Sequence, residues 1–190
     1  LAANSHNPQP WRFRSSERLI EIFPDFTRRT AVVDPDDHHL FISLGCAAEN
    51  LALAAAARGR AVDVRFDPDG DGRIICELGS GRPVPSDLFD AIPVRQSTRS
   101  EYDGQPVAPA ALARLQRAAA APGINVALVT DRASIGRMRD LVIAANTAQI
   151  ADPAFGRELK QWLRFNPSQA LSRRDGLYSA SSGNPVMPAW

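Results

Sequence analysis

Hydrophobic and polar positions change rhythm several times along the chain, and each change predicts an element. Trp11-Arg12-Phe13 and Leu19 to Phe23 alternate with period two, which predicts two strands of a hairpin or meander. From about His38 to Arg58 the period becomes three to four. Phe41, Leu44, Ala48, Leu51 and Ala55 form a helical stripe, and Gly45, Ala47, Ala52, Ala54 and Ala56 leave its other faces small. So many small residues predict close approach of neighbouring backbone on several sides, and Gly59 stands where a left-handed cap is common. Val62, Val64 and Phe66 alternate again, then the turn cluster Asp67 to Gly72, then a strand from about Arg73 to Leu78.

Beyond that point the pattern is helical. Gly79 to Pro85 is expected as a linker, with a short helix from Ser86 to Ala91. Further helices are expected from about Pro109 to Ala120, from Ser134 to about Ile150 with Asp131 or Ser134 as cap, and from Pro153 to about Arg164. Val126 to Val129 is expected as a strand. Phe165 to Trp190, rich in Ser, Gly, Asn and Pro, is expected as a loop, a lid or an unfinished element.

Composition narrows the chemistry. The chain has 190 residues, 44% of them hydrophobic, enough to bury a core in one or two domains. Its 22 basic and 21 acidic residues leave a formal charge of +1 with no long basic run, which argues against nucleic acid or an anionic membrane as the main partner. Any anion site must be built locally. No stretch approaches the roughly 20 apolar residues of a membrane span, and no leader is visible, although the chain opens at Leu1 without Met. Cys46 and Cys76 are far apart and lack metal-ligand spacing, so they read as small buried thiols. The Asp-rich turn lacks the Glu that a calcium loop needs at its twelfth position, where Leu78 stands; a hairpin turn fits better. His38 and His39 are adjacent, point about 100° apart on a helix, and read as a surface pair. No metal site is expected.

Two motifs carry candidate chemistry. In Ser5-His6-Asn7-Pro8-Gln9-Pro10-Trp11, prolines fix their own φ and push Asn7 and Gln9 toward extended backbone, so rigid amides and hydroxyls face something planar and polar, or else satisfy their own backbone. In Arg95-Gln96-Ser97-Thr98-Arg99, two guanidinium groups and a hydroxyl at alternate positions suit a phosphate; an isolated pair of arginines also fits a plain solvated face.

Together these segments resemble the nitroreductase superfamily, whose members carry an Arg-x-Ser-x-Arg segment with an aromatic residue a few positions on (here Tyr102) and an Asn-x-Gln-Pro-Trp loop. Leu44 to Gly59 resembles the family's central helix. Here the loop and helix precede the arginine segment, an order that resembles the Acg-type branch of fused repeats, some with a twin-arginine leader. The resemblance implies an α+β, three-layer fold with a central mixed sheet flanked by helices, built from two repeats. Residues 1–85 would be the first, lacking its start. Residues 86–190 would be the second, lacking its end, with a possible lid at 167–190.

It implies one FMN per chain in a pseudo-dimer, held by Ser5, His6, Asn7 and Gln9 from the first repeat and Arg95, Gln96, Ser97 and Arg99 from the second. Asn146 is carried over by position. The segment Pro122 to Val126, where the second loop should lie, lacks Gln-Pro-Trp. The implied function is passage of electrons from NAD(P)H through flavin to a nitro, quinone or similar acceptor, with no side-chain acid or base required. A catalytically silent FMN-storage protein and an interaction module without flavin are the alternatives. The visible segment is expected in the cytoplasm, or in the periplasm if a leader has been removed.

Overall fold

The computed structural model describes residues 1–97, 101–183 and 185–188, and the chain divides into two compact units. One comprises residues 1–99 and 154–190; the other comprises 100–153. Compactness thus divides the chain at different points from the repeat boundary expected at residue 85.

In the first unit, strands β1 (Trp11–Ser15), β2 (Leu19–Pro24), β3 (Val62–Asp67) and β4 (Arg73–Leu78) form one sheet in the order β1-β2-β4-β3. Every pairing in it is antiparallel. The sheet is therefore antiparallel rather than mixed: β1–β2 and β3–β4 turn back directly, and the connection from β2 through a helix skips one position, which β4 then fills between β2 and β3. Helix α1 (His38–Ala57) lies across β2, β3 and β4. Ile22, Ile74 and Cys76 share one face of the sheet, and Leu40, Leu44, Ala47 and Ala48 of α1 close on them as the core. Cys46 is only partly buried, unlike Cys76, whose burial pushes its thiol pKa up.

The second face of the sheet holds Ile75 and a charged chain. Arg73 bridges Glu21 at 3.0 Å and Asp67 at 2.8 Å, and Arg14 donates to Glu21 at 2.6 Å. The Asp-rich turn is a hairpin turn, with Asp67 accepting from the Asp69 amide.

The N-terminus of α1 is capped from a distance. Asp37 precedes the helix with φ 58° and makes no side-chain cap, whereas buried Asp34 accepts from the amides of His39 (2.9 Å) and Leu40 (3.0 Å). The His39 ring also meets Asp34 at 3.1 Å, so the histidine pair sits at the surface with one member held by the cap. Contrary to the expectation, α1 is long and apolar enough, by length and composition, to cross a membrane. In this fold its apolar stripe packs on the sheet.

Gly79 to Pro85 is pinned rather than loose: Gly79 donates to Ala61, Gly81 to Gly59 and Val84 to Ala56. Helix α2 (Asp87–Ala91) follows, capped by Ser86. The tail is also more ordered than its composition predicts. Helix α5 (Pro153–Trp162) leads into β5 (Leu163–Arg164), then α6 (Pro167–Arg173) and β6 (Leu177–Tyr178), with β5 and β6 paired in parallel. Asn166 caps α6 by accepting from Gln169 at 2.9 Å.

The unit 100–153 contains α3 (Pro109–Ala118) and α4 (Arg132–Ala151), the latter capped by Asp131 accepting from Ser134 at 2.8 Å. Val126 to Val129 is not a strand. Among the described residues of this unit no other strand exists to pair with it, and an unpaired strand leaves its backbone groups to water.

Candidate functional site

The loop of residues 4–10 is built by local hydrogen bonding and a strained backbone. His6, Asn7 and Gln9 all have positive φ, at 58°, 53° and 54°. Asn7 and Gln9 are thus not extended, as the flanking prolines predicted. Left-handed backbone costs a non-glycine residue on the order of 1–2 kcal/mol, so other contacts must hold it. Asn4 Oδ1 accepts from the Gln9 amide at 3.0 Å, and the Pro10 carbonyl accepts from the Asp25 amide at 3.0 Å, which fixes the loop to the β1–β2 hairpin.

The remaining support comes from the far end of the chain. The Gly176 amide donates to the Asn7 carbonyl at 2.9 Å, and Asn7 Nδ2 donates back to the Gly176 carbonyl at 3.1 Å. Gln9 Nε2 donates to the Arg174 carbonyl at 2.7 Å. Gln9 therefore holds the loop in place and does not line the cavity described next.

Asp175, between those two carbonyls in sequence, faces two guanidinium groups. It accepts from Arg28 Nη2 at 2.5 Å and from Arg164 Nη2 and Nε at 2.6 and 3.1 Å. Arg28 Nε also donates to the Pro8 carbonyl, and Arg164 Nη1 donates to the carbonyls of Gln161 and Leu163. Burial acts to raise the Asp175 pKa, but the bonds from Arg164 and Arg28 outweigh it and hold the carboxyl below its ordinary range. This cluster was invisible to sequence reading. The one local signal nearby was Asn166-Pro167, a helix start inside a stretch read as loop.

The second motif follows α2. Amides of Val94 and Arg95 donate to the Ala91 carbonyl at 3.1 and 2.8 Å, which turns the chain out of the helix, and Arg95 Nη2 donates to the Leu1 carbonyl at 3.2 Å. Arg95, Gln96 and Ser97 then face Ser5, His6 and Asn7 around one cavity of about 650 Å³. Gly176, Leu177 and Ser181 form a further wall, and Ala2 to Asn4 complete the lining. The volume is that of a small-molecule site. Ser5 Oγ lies 2.9 Å from His6 Nδ1 at its edge. Of the other expected residues, Asn146 is exposed on α4 in the unit 100–153, and Arg99 lies outside the described residues.

The lining has a definite electrostatic character. It offers the Arg95 guanidinium, the hydroxyls of Ser5, Ser97 and Ser181, the amide of Gln96 and the His6 ring; no Asp or Glu is present among the described lining residues. Asp175, next to the Gly176 wall in sequence, is paired with two arginines. Such a donor set accepts a phosphate ester, while Ala2, Ala3 and Leu177 supply small apolar surface for a flat ring. No group of three or more metal-ligating side chains occurs among the described residues.

No family model matches the chain. Over 168 residues it is 31% identical to Mycobacterium tuberculosis proteins from two strains, each named "Putative NAD(P)H nitroreductase"; the match covers 85% of this chain and 47% of theirs. A further protein of that organism, named only as uncharacterized, is 28% identical over 178 residues, 90% of this chain and 24% of its own. The chain therefore spans about half the length of the nitroreductase relatives it matches, and its similarity to them supports the nitroreductase superfamily.

Proposed function

We propose that this chain carries the FMN site of a nitroreductase-type oxidoreductase that moves electrons from NAD(P)H to a nitro, quinone or similar acceptor. The observation that carries the reading is the cavity shared by Ser5, His6 and Asn7 with Arg95, Gln96 and Ser97, whose described lining is rich in donors and free of carboxylates. The similarity to relatives named as NAD(P)H nitroreductases agrees with it.

Arg95 and Ser97 are assigned to the phosphate, with Arg99 as the second guanidinium carried over from the motif. A phosphate dianion gains most from charge-assisted donors, which contribute about 1.5–3 kcal/mol each where water is excluded, and less for the exposed Arg95. Ser5, His6, Asn7 and Gln96 would meet the ribityl chain and the edge of the ring, and the Gly176–Leu177 wall would limit water at its face. When bound, the flavin supplies the two-electron chemistry; the protein supplies position and electrostatics. No side-chain acid or base is assigned. One FMN per chain is proposed.

Purified protein loaded with FMN and freed of excess should be yellow at one flavin per chain, and anaerobic NADPH should bleach it. A yellow protein that NADPH leaves unchanged would support FMN storage instead, and a protein that retains no flavin would refute the site.

A further inference from the structure

We infer that Asp175 is the positioning residue of this cavity: by joining Arg28 and Arg164, it holds the Arg174–Gly176 backbone against the Asn7 loop as a cavity wall. The inference rests on the flavin reading for its ligand, and on the geometry alone for the wall.

The connections are continuous. Arg28 grips the Pro8 carbonyl of the loop with Nε and Asp175 with Nη2, so one guanidinium spans both segments. Arg164 is buried, and Asp175 takes two of its donors while the Gln161 and Leu163 carbonyls share Nη1. On either side of Asp175, the Arg174 carbonyl accepts from Gln9 and the Gly176 peptide bonds Asn7 in both directions. Gly176 has φ 75°, and a Cβ there would collide with the Trp162 carbonyl oxygen, so the backbone at this point has no slack. Gly176 and Leu177 then face the cavity, whereas Asp175 does not.

Charge and position make opposite predictions here. The cluster of one carboxylate and two guanidinium groups carries a net charge of +1, and Asp175→Asn raises it to +2. If the cluster acted only through its field, that substitution would tighten binding of the anionic FMN and leave riboflavin unchanged. If Asp175 positions the wall, both flavins lose affinity together, because the Asn7–Gly176 contact loosens.

The test is titration of Asp175→Asn with FMN and with riboflavin, beside hydrogen exchange at the Gly176 amide. The expected result is at least a tenfold loss for both flavins, with faster exchange at Gly176 and unchanged exchange at Ile22 and Cys76 in the sheet. Unchanged or tighter FMN binding, or unchanged Gly176 exchange, overturns the inference. Should Asp175→Asn fail to fold, Arg28→Gln removes the more exposed arm together with its bond to the Pro8 carbonyl and must show the same two effects. If the wild type binds neither flavin, the flavin reading fails, and the exchange result still decides whether Asp175 positions the wall.

Discussion

The unit formed by residues 1–99 and 154–190 buries Ile22, Leu44 and Cys76 completely, while among the described residues of 100–153 none is buried. Both contain a 20-residue helix. Helix α1 presents its stripe to a four-stranded sheet, and the stripe becomes a core. Helix α4 leaves Leu141 71% and Val142 66% exposed, with Ile143 and Ile150 in the same state. An apolar period therefore states which face of a helix can be buried. Whether burial happens depends on a partner face that the period does not encode.

The largest effect that separates the two helices is a cavity in the core. Leu44→Ala is expected to destabilise the first unit by about 3–5 kcal/mol, whereas Leu141→Ala should change stability by no more than about 0.5 kcal/mol. Urea denaturation of the two variants checks this, and equal effects would break the contrast.

A second comparison concerns binding. Arg95→Ala is expected to weaken FMN by about five- to tenfold, the loss of one charge-assisted bond at an exposed position. Asn146→Ala, on the exposed α4, should cost no more than about threefold. Fluorescence titration of both variants checks the two magnitudes.

The smallest effect concerns acid. Burial acts to raise the Asp34 pKa, but the His39 and Leu40 amides and the His39 ring outweigh it, so the folded-state carboxyl is held below its ordinary value. Its contribution is then fully present above the unfolded value near 3.9 and is lost as pH falls through the lower folded value. Asp34→Asn should therefore cost about 1 kcal/mol near pH 7, with the difference from wild type shrinking below about pH 4. Denaturation followed across pH 2.5–7 reads this directly.

The sequence made legible what depends on near neighbours. Strands β1 to β4, helix α1, the Asp67–Gly72 turn and the Asp131 cap all follow from period, turn chemistry and capping within a few residues. What failed to show depends on distant ones. Arg28 and Asp175 are 147 residues apart, and nothing near either one announces the pair. The tail looked like loop because its own composition lacks a core stripe, yet it is ordered by docking against Asn7 and Gln9. Those two residues adopt positive φ against the preference set by their prolines, since hydrogen bonds to Arg174 and Gly176 offset the strain. Val126 to Val129 has strand composition without a strand beside it. The juxtaposition of the Asn7 loop with Arg95 came from family resemblance rather than from any local pattern.

Equilibrium titration of the wild-type chain with FMN and riboflavin, followed by flavin fluorescence, addresses the proposed site most directly. The cation-lined cavity predicts that FMN binds at least tenfold more tightly than riboflavin. Equal affinity for the two, or binding of neither, would contradict it.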